Sequence, residues 1–193
     1  MPIADAALSP CGHYRWWLRR QWQPHLPALL FIGLNPSRAD GQRDDPTLRR
    51  IVGFARRWGF GSVTVLNLFA RISPSPATLK RSADPVGGAN DRWLRQVFDE
   101  HCSGAARGGR GVIWLGWGNQ GAWRGRDRQV LALMDDSVVY GGASHPPELL
   151  CLGLTAAGQP RHPLYVASAT LPQRLELAQM AAPGASCDHR DKL

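Results

Sequence analysis

The chain has 193 residues, of which 44% are hydrophobic, so it is long enough to form one domain with a proper core. No stretch approaches the roughly 20 apolar residues of a membrane-spanning helix, and the N-terminus lacks the basic start of a secretory signal. We therefore expect a cytoplasmic protein with no membrane partner. The formal net charge is +8 and is almost all arginine, since Lys80 and Lys192 are the only lysines. Arginine suits phosphate contacts, although a GC-rich genome would give the same composition without that function.

The four cysteines are too far apart for the C-x-x-C pairs that hold zinc or iron–sulfur clusters. We expect free thiols, no metal and no cofactor. Cys151 lies in the apolar run 149–152 and is predicted to be a small core residue.

In chain order, residues 1–10 are expected to be a loose lead-in to a single domain spanning 11–180. Residues 14–22 mix aromatic side chains with arginines, which fits an edge strand or a short helix. Such a segment can either cover a core or bind nucleic acid. The apolar run 28–32 ends in Gly33 and is typical of a central strand buried on both faces. A loop is predicted over 34–44.

A helix is predicted to follow this loop. Asp45 can cap it, Pro46 suits its first position, and Gly59 suits a left-handed C-cap. Its apolar residues recur at helical spacing from Leu48 to Trp58. The arginines fall between them and are expected to face water: Arg49, Arg50, Arg56 and Arg57.

Strands and helices alternate along the rest of the chain. The expected elements are a strand over 62–69, a loop over 71–85, a helix over 90–102, a strand over 112–116, a helix over 127–134, a strand over 149–152, a helix or loop over 171–180 and a frayed end over 181–193. This order predicts an α/β domain, a three-layer α/β/α sandwich around a central, mostly parallel four-stranded sheet. Ligands of such sheets bind beyond the carboxyl ends of the strands.

Three polar clusters fall at or just after those strand ends: Gly33-Leu34-Asn35-Pro36-Ser37, Asn67 and Arg161-His162-Pro163. Asn35 can position a water or read a base edge, although Asn-Pro is also a common turn pair. Asn67 stands in an apolar strand, so its amide needs partners, either a nucleobase or a neighbouring loop. His162 can donate to an oxygen that gains charge or do acid–base work, although a lone loop histidine is more often incidental. Arg161 can contact phosphate or simply be solvated.

Two further features belong to the candidate site. Asp45 is expected to cap the helix, whereas Asp40 and Asp44 could bind a metal, act as a base or only order the loop. We include Asp44 with Asn35 and His162 as candidate catalytic residues, and Asp40 among those that bind substrate. Trp117, between two glycines, could stack on a flat ligand or fold back over the core.

From Tyr14 to Tyr165 the chain resembles the bacterial and phage domain-of-unknown-function family 1643. The matching segments are Leu30-Phe31-Ile32-Gly33-Leu34-Asn35-Pro36-Ser37-Arg38-Ala39-Asp40, Asp44-Asp45-Pro46-Thr47-Leu48-Arg49-Arg50, Asn67-Leu68-Phe69-Ala70, Ala83-Asp84-Pro85, Gly116-Trp117-Gly118 and Arg161-His162-Pro163-Leu164-Tyr165. That resemblance implies no settled activity.

A second resemblance is to the uracil-DNA glycosylase superfamily. Gly33-Leu34-Asn35-Pro36-Ser37 is similar to its first motif, Asn67 to its base-reading asparagine, and His162-Pro163-Leu164 to its His-Pro-Ser motif. The resemblance implies that Asn35 orients the attacking water, Asn67 reads the base edge and His162 stabilises charge on the departing base. It also implies that the helix beginning at Pro46 presents amides to phosphate. The stacking aromatic of that superfamily is not evident after the first motif, where Asp40, Arg43, Asp44 and Asp45 stand instead.

The sequence therefore predicts a nucleobase- or nucleotide-directed enzyme of the uracil-DNA glycosylase-like class that cleaves or modifies a base in DNA. One alternative is a non-catalytic module that binds a nucleotide or modified base in the same pocket. Another is an ordinary domain whose function lies on its arginine surface. The expected partner is nucleic acid, in the first place DNA, or a nucleotide; the sequence predicts neither the choice between DNA and RNA nor the oligomeric state.

Overall fold

Seven strands and four helices form the part of the chain that the computed structural model describes, residues 3–105, 111–140 and 146–180. The strands are β1 (Ile3–Leu8), β2 (Arg15–Gln21), β3 (Ala28–Gly33), β4 (Ser62–Asn67), β5 (Val112–Leu115), β6 (Glu148–Cys151) and β7 (Gln173–Arg174). The helices are α1 (Pro46–Arg57), α2 (Pro76–Lys80), α3 (Asn90–Ala105) and α4 (Arg126–Tyr140). None of these helices is long and apolar enough to cross a membrane.

The strands make one mixed sheet in the order β1-β2-β4-β3-β5-β6-β7. Its four central strands, β4, β3, β5 and β6, are parallel, whereas β1, β2 and β7 pair antiparallel at the two sides. The prediction of an α/β fold is confirmed. The prediction of four strands is wrong, because it counted only the parallel strands that have continuous apolar runs.

The two chain ends differ most from expectation. Residues expected to be a loose lead-in form β1, which pairs with β2 from Ile3 opposite Gln21 to Leu8 opposite Arg15. The ambiguous segment 14–22 therefore contains β2, one strand in from the edge. The possible helix over 171–180 is instead β7 followed by a short 3-10 turn, Leu177–Gln179. The expected frayed end, 181–193, lies outside the described residues.

The core lies on both faces of the sheet. Along β3, Leu29 and Phe31 pack on the side of α1, and Leu30 and Ile32 pack on the opposite side. On the first side lie Leu48, Ile51, Phe54 and Ala55 of α1. On the second lie apolar side chains of α3 and α4: Leu94, Val97, Phe98, Val130, Leu133 and Met134. Alternation of this kind requires a strand that is apolar at every position, as β3 is.

The predicted limits of α1 are confirmed. The Asp45 carboxylate accepts a hydrogen bond from the Leu48 amide at 2.8 Å, and Pro46 is the first helical residue. Gly59 has φ +84°, the left-handed conformation that commonly ends a helix. The predicted loop over 71–85 contains α2, whose five residues are too few for a periodic signal.

Gly33 and Gly116 stand at the carboxyl ends of β3 and β5, where the ring of Phe31 takes the space that side chains would need. A Cβ at Gly116 would lie 2.6 Å from Phe31 Cε2 and 3.3 Å from Pro163 Cδ. The Phe31 ring cannot turn away freely, because it packs edge-on against Trp114 with 4.7 Å between ring centroids. The glycine at 116 is therefore required by close packing.

We predict that Gly116→Ala lowers the free energy of unfolding by about 1–3 kcal/mol through overpacking. Urea unfolding followed by tryptophan fluorescence measures this change. The control is Gly88→Ala, where a Cβ would meet no atom within 4 Å, and the expected change is within about 0.5 kcal/mol. Equal effects of the two substitutions would contradict this account of the strand ends.

Candidate functional site

A cavity of about 780 Å³, called the pocket below, opens at the carboxyl ends of the central strands. It is lined by the ends of β3 and β4, the segment after β5, the first turn of α1, and the segments 73–76 and 161–165. The chain goes from β3 to β4 on one side, and the next parallel strand, β5, lies on the other side of β3. Open α/β sheets bind ligands at such a switch in strand order.

Eight of the eleven candidate residues line the pocket: Gly33, Leu34, Asn35, Ser37, Asn67, Trp117, Arg161 and His162. Pro36, Asp40 and Asp44 do not. Asn35, Asn67 and His162 come from three distant parts of the sequence, and the structure brings them to one cavity.

Asn35 is held in one orientation by two backbone carbonyls. Its Nδ2 donates to the carbonyl oxygens of Pro36 at 2.8 Å and of Ser73 at 3.0 Å. Because both partners can only accept, the atom that faces them must be the nitrogen. Oδ1 receives no hydrogen bond from the described residues, so it is left to accept one from a water or ligand.

Asn67, the last residue of β4, is 4% exposed and finds its partner in a buried arginine. Its Oδ1 accepts a hydrogen bond from Arg15 Nη2 at 3.2 Å. Its backbone carbonyl accepts one from Asn90 Nδ2, also at 3.2 Å, which ties the end of β4 to the start of α3. The polar partner that the sequence required for this amide is therefore on β2.

His162 is a neutral hydrogen-bond donor. Its Nδ1 accepts a hydrogen bond from the Leu164 amide at 3.3 Å, so the neutral ring carries its proton on Nε2. Burial lowers the pKa of His162 to about 4, and nearby Asp45 only partly opposes this. Nε2 has no partner among the described residues and is available to an acceptor in the pocket.

An arginine of α1 fixes the segment that carries His162. Arg50 donates to the carbonyls of Pro163 and Val166 and to Ser168 Oγ. Its guanidinium also lies 5.1 Å from the centroid of the Phe54 ring. The expectation that Arg50 faces water is therefore wrong, because the segment 163–168 covers this side of α1.

The aspartates of the first loop have separate roles. Asp44 accepts a hydrogen bond from Arg20 Nε at 3.0 Å and forms a salt bridge with that guanidinium. Because Asp44 also lies outside the pocket, its position does not favour a catalytic role. Asp40 accepts from the amides of Gln42 and Arg43, both at 2.8 Å, and these bonds lower its pKa. It orders its loop and does not line the pocket. Asp45 caps α1 as predicted and also lines the pocket.

The aromatic candidate Trp117 is only 1% exposed. Its Nε1 donates to Gln159 Oε1 at 2.7 Å, and Gly121 lies directly against its ring. Trp117 therefore forms part of the core under the pocket and offers little surface for stacking. Tyr165 also lines the pocket, is 83% exposed, and has its ring 5.6 Å from that of His162.

Within the described residues, no group of three or more His, Cys, Asp or Glu side chains is arranged to hold a metal ion. Cys11, Cys102 and Cys151 are free thiols, and Cys151 is buried as predicted. Cys187 lies outside the described residues.

Comparison with protein families shows that residues 15–164 match the model of the proteins of unknown function DUF1643. The chain belongs to this family. No significant match is found among curated proteins or among solved structures. The resemblance of this DUF1643 protein to the uracil-DNA glycosylase superfamily therefore stays a prediction.

Sequence reasoning missed many pocket residues of this DUF1643 protein, among them Arg15 and Phe31. In the sequence, Arg15 stands in a mixed basic and aromatic segment, and Phe31 stands in an apolar run typical of a core strand. Arg15 follows Tyr14 at the start of a strand, a position that gives no sign of burial. The tertiary contacts alone reveal that role.

We predict a pH-dependent contribution of His162 to stability. Its folded pKa of about 4 lies below the ordinary value of 6.5, so its contribution is present above pH 6.5 and is lost as pH falls to 4. His162→Gln should remove this dependence. Between pH 7 and pH 4, the free energy of unfolding of the variant should rise by on the order of 2 kcal/mol relative to that of wild type. Urea unfolding at both pH values measures it, with His25→Gln, at an exposed histidine, as control. If the difference in free energy of unfolding between His162→Gln and wild type were the same at both pH values, the buried, neutral state of His162 would be contradicted.

Proposed function

We propose that this DUF1643 protein is a nucleobase-directed enzyme of the uracil-DNA glycosylase-like class, acting on a base in DNA. On this proposal its two helical layers and four parallel central strands are the counterpart of the three-layer sandwich of that superfamily. The observation that carries the proposal is the meeting of Asn35, Asn67 and His162 in one pocket. Their order and spacing along the chain support the same conclusion.

Asn35 is suited to position a water. Its Nδ2 is occupied by two carbonyls, so Oδ1 is the atom left to accept a hydrogen bond. A water held there would attack C1′ of the sugar as the glycosidic bond breaks. The bonding electron pair leaves with the base, the base takes up a proton from solvent, and the attacking water loses one to solvent. Fixing the water in this way lowers the entropic part of the barrier.

His162 is suited to stabilise the departing base. Negative charge grows on a base carbonyl as the glycosidic bond breaks, and a donor fixed in advance lowers the energy of that state. The Nε2–H of neutral His162 is such a donor. No proton transfer from the imidazole is needed for this role.

The rim of the pocket is suited to the DNA backbone. The first turn of α1 lines it, including Thr47, whose amide is one of the unpaired groups at the helix N-terminus. Arg161 is exposed at the same rim and adds a positive charge. A base must leave the stack to reach the amide groups deeper in the pocket.

A second candidate is a non-catalytic module that binds a nucleotide or modified base. Asp45 is the one carboxylate among the described lining residues, and it already accepts from the Leu48 amide. One oxygen of this carboxylate is committed to the helix cap, and no second carboxylate lines the pocket among the described residues to act as a general base. This favours recognition without turnover.

Base release from DNA separates the two candidates. Labelled duplex and single-stranded oligonucleotides, each with one test base, are incubated with the protein, and alkali cleavage reports abasic sites. We expect release of at least one base, slowed at least about a hundredfold by Asn35→Ala and by His162→Ala. Circular dichroism checks folding, and His25→Ala is the control. Binding without release would favour the module, and unchanged rates in both variants would contradict the site.

A further inference from the structure

The floor of the pocket, formed by Arg15 and Asn67, contains a buried cation that forms no salt bridge with the described residues, although the charges of Asp45 and Asp40 act on it from a distance. Three arginines in the described residues are buried: Arg15, Arg20 and Arg126, at 4%, 8% and 2% exposure. Arg20 forms a salt bridge with Asp44, and Arg126 forms one with Asp91. Arg15 forms none with the described residues, and it is the one of the three that lines the pocket.

Most of the hydrogen-bonding capacity of Arg15 is unused. A guanidinium has five N–H donors. Nη1 donates to the Ala39 carbonyl at 2.8 Å and Nη2 to Asn67 Oδ1 at 3.2 Å, whereas Nε is buried without a partner. Burial lowers the pKa of Arg15 to about 10, which still leaves it charged at neutral pH. A buried charge with unpaired donors is costly, and a ligand acceptor can offset part of that cost at the remaining N–H groups of Nη1 and Nη2, since Nε itself is not accessible.

Arg15 also fixes the orientation of the Asn67 side-chain amide, and therefore which of its atoms can contact a ligand. Because a guanidinium only donates, the Asn67 atom that faces it must be Oδ1. Nδ2 then has no partner among the described residues. Gly33 keeps the space beside it open, since a Cβ there would lie 3.1 Å from Nδ2. Arg15 and Asn67 Nδ2 therefore present only donors to a ligand, and the acceptor between them, Asn67 Oδ1, is already engaged by Arg15.

We propose that Arg15 and Asn67 Nδ2 form a donor pair that selects a base through an edge with two neighbouring acceptors. Guanine has such an edge at O6 and N7, and cytosine at O2 and N3. Uracil places an N–H between its two carbonyls, and adenine places an amino group beside each ring acceptor on these edges. The inference rests on the proposed function and narrows its substrate class away from uracil.

Four deoxynucleotides test this preference because they share one sugar and one phosphate. Isothermal titration calorimetry with dGMP, dCMP, dUMP and dAMP should give at least about tenfold tighter binding for dGMP or dCMP than for dUMP and dAMP. If dUMP binds as tightly as dGMP and dCMP, the donor pair is overturned while the proposed function stands. If no nucleotide binds and no base is released from DNA, the proposed function fails as well.

Two substitutions at the floor and one control complete the test. Asn67→Asp replaces the Nδ2 donor with an acceptor and gives Arg15 a carboxylate, so the variant should unfold at the same temperature as wild type or higher. It should nevertheless lose the tenfold preference. Arg15→Gln should lose it too, whereas Arg19→Gln, at an exposed position of the same strand, should keep it. A folded Asn67→Asp protein that still prefers dGMP or dCMP would overturn the proposal.

Discussion

The ring of Phe31 lies between Gly33 and Gly116, at the carboxyl ends of two neighbouring parallel strands. A Cβ at Gly33 would come within 3.0 Å of the ring and 3.1 Å of Asn67 Nδ2. Pro163, next to His162, also approaches the end of β5, 3.3 Å from the Cβ position of Gly116. The candidate amide and imidazole groups can meet in one pocket because the backbone there has no side chains of its own.

The charges around the pocket follow from burial and from the contacts of α1. Arg15 is a cation held at the floor, and His162 is kept neutral by the same low-polarity surroundings. Helix α1 contributes both to the lining of the pocket and to the position of His162. Its N-terminal turn lines the pocket with Asp45, and one turn later Arg50 holds the segment of His162. Orientation of the imidazole therefore depends on packing of the helix as much as on local sequence.

Features with local signals could be predicted from the sequence. The strand over 28–32 is a continuous apolar run, and α1 has a capping aspartate, a first-position proline and a C-terminal glycine. β1 and β2 have no such signal, because β1 is mostly exposed and β2 mixes arginines with aromatic residues in no regular order. The short β7 has only two residues, and it exists because it pairs with β6.

Some residues of the candidate site likewise have a local signal in the sequence, whereas the roles of others depend on tertiary contacts. Asn67 could be singled out because an amide in an apolar strand requires a partner, and that partner is present. The role of Asp44 could not be predicted, because its salt bridge to Arg20 joins residues 24 positions apart in the sequence. Arg15 was missed for a related reason. Its burial and its lack of a salt bridge with the described residues depend on tertiary contacts, which a segment rich in arginine does not reveal.

Side-chain NMR of the amide and imidazole groups tests most directly whether the three residues act on one ligand. The measurement is a titration of ¹⁵N-labelled protein with dGMP, following Asn35 Nδ2, Asn67 Nδ2 and His162 Nε2. The account predicts that all three signals shift together with a single dissociation constant. Shifts confined to exposed arginine side chains, with these three signals unmoved, would contradict it.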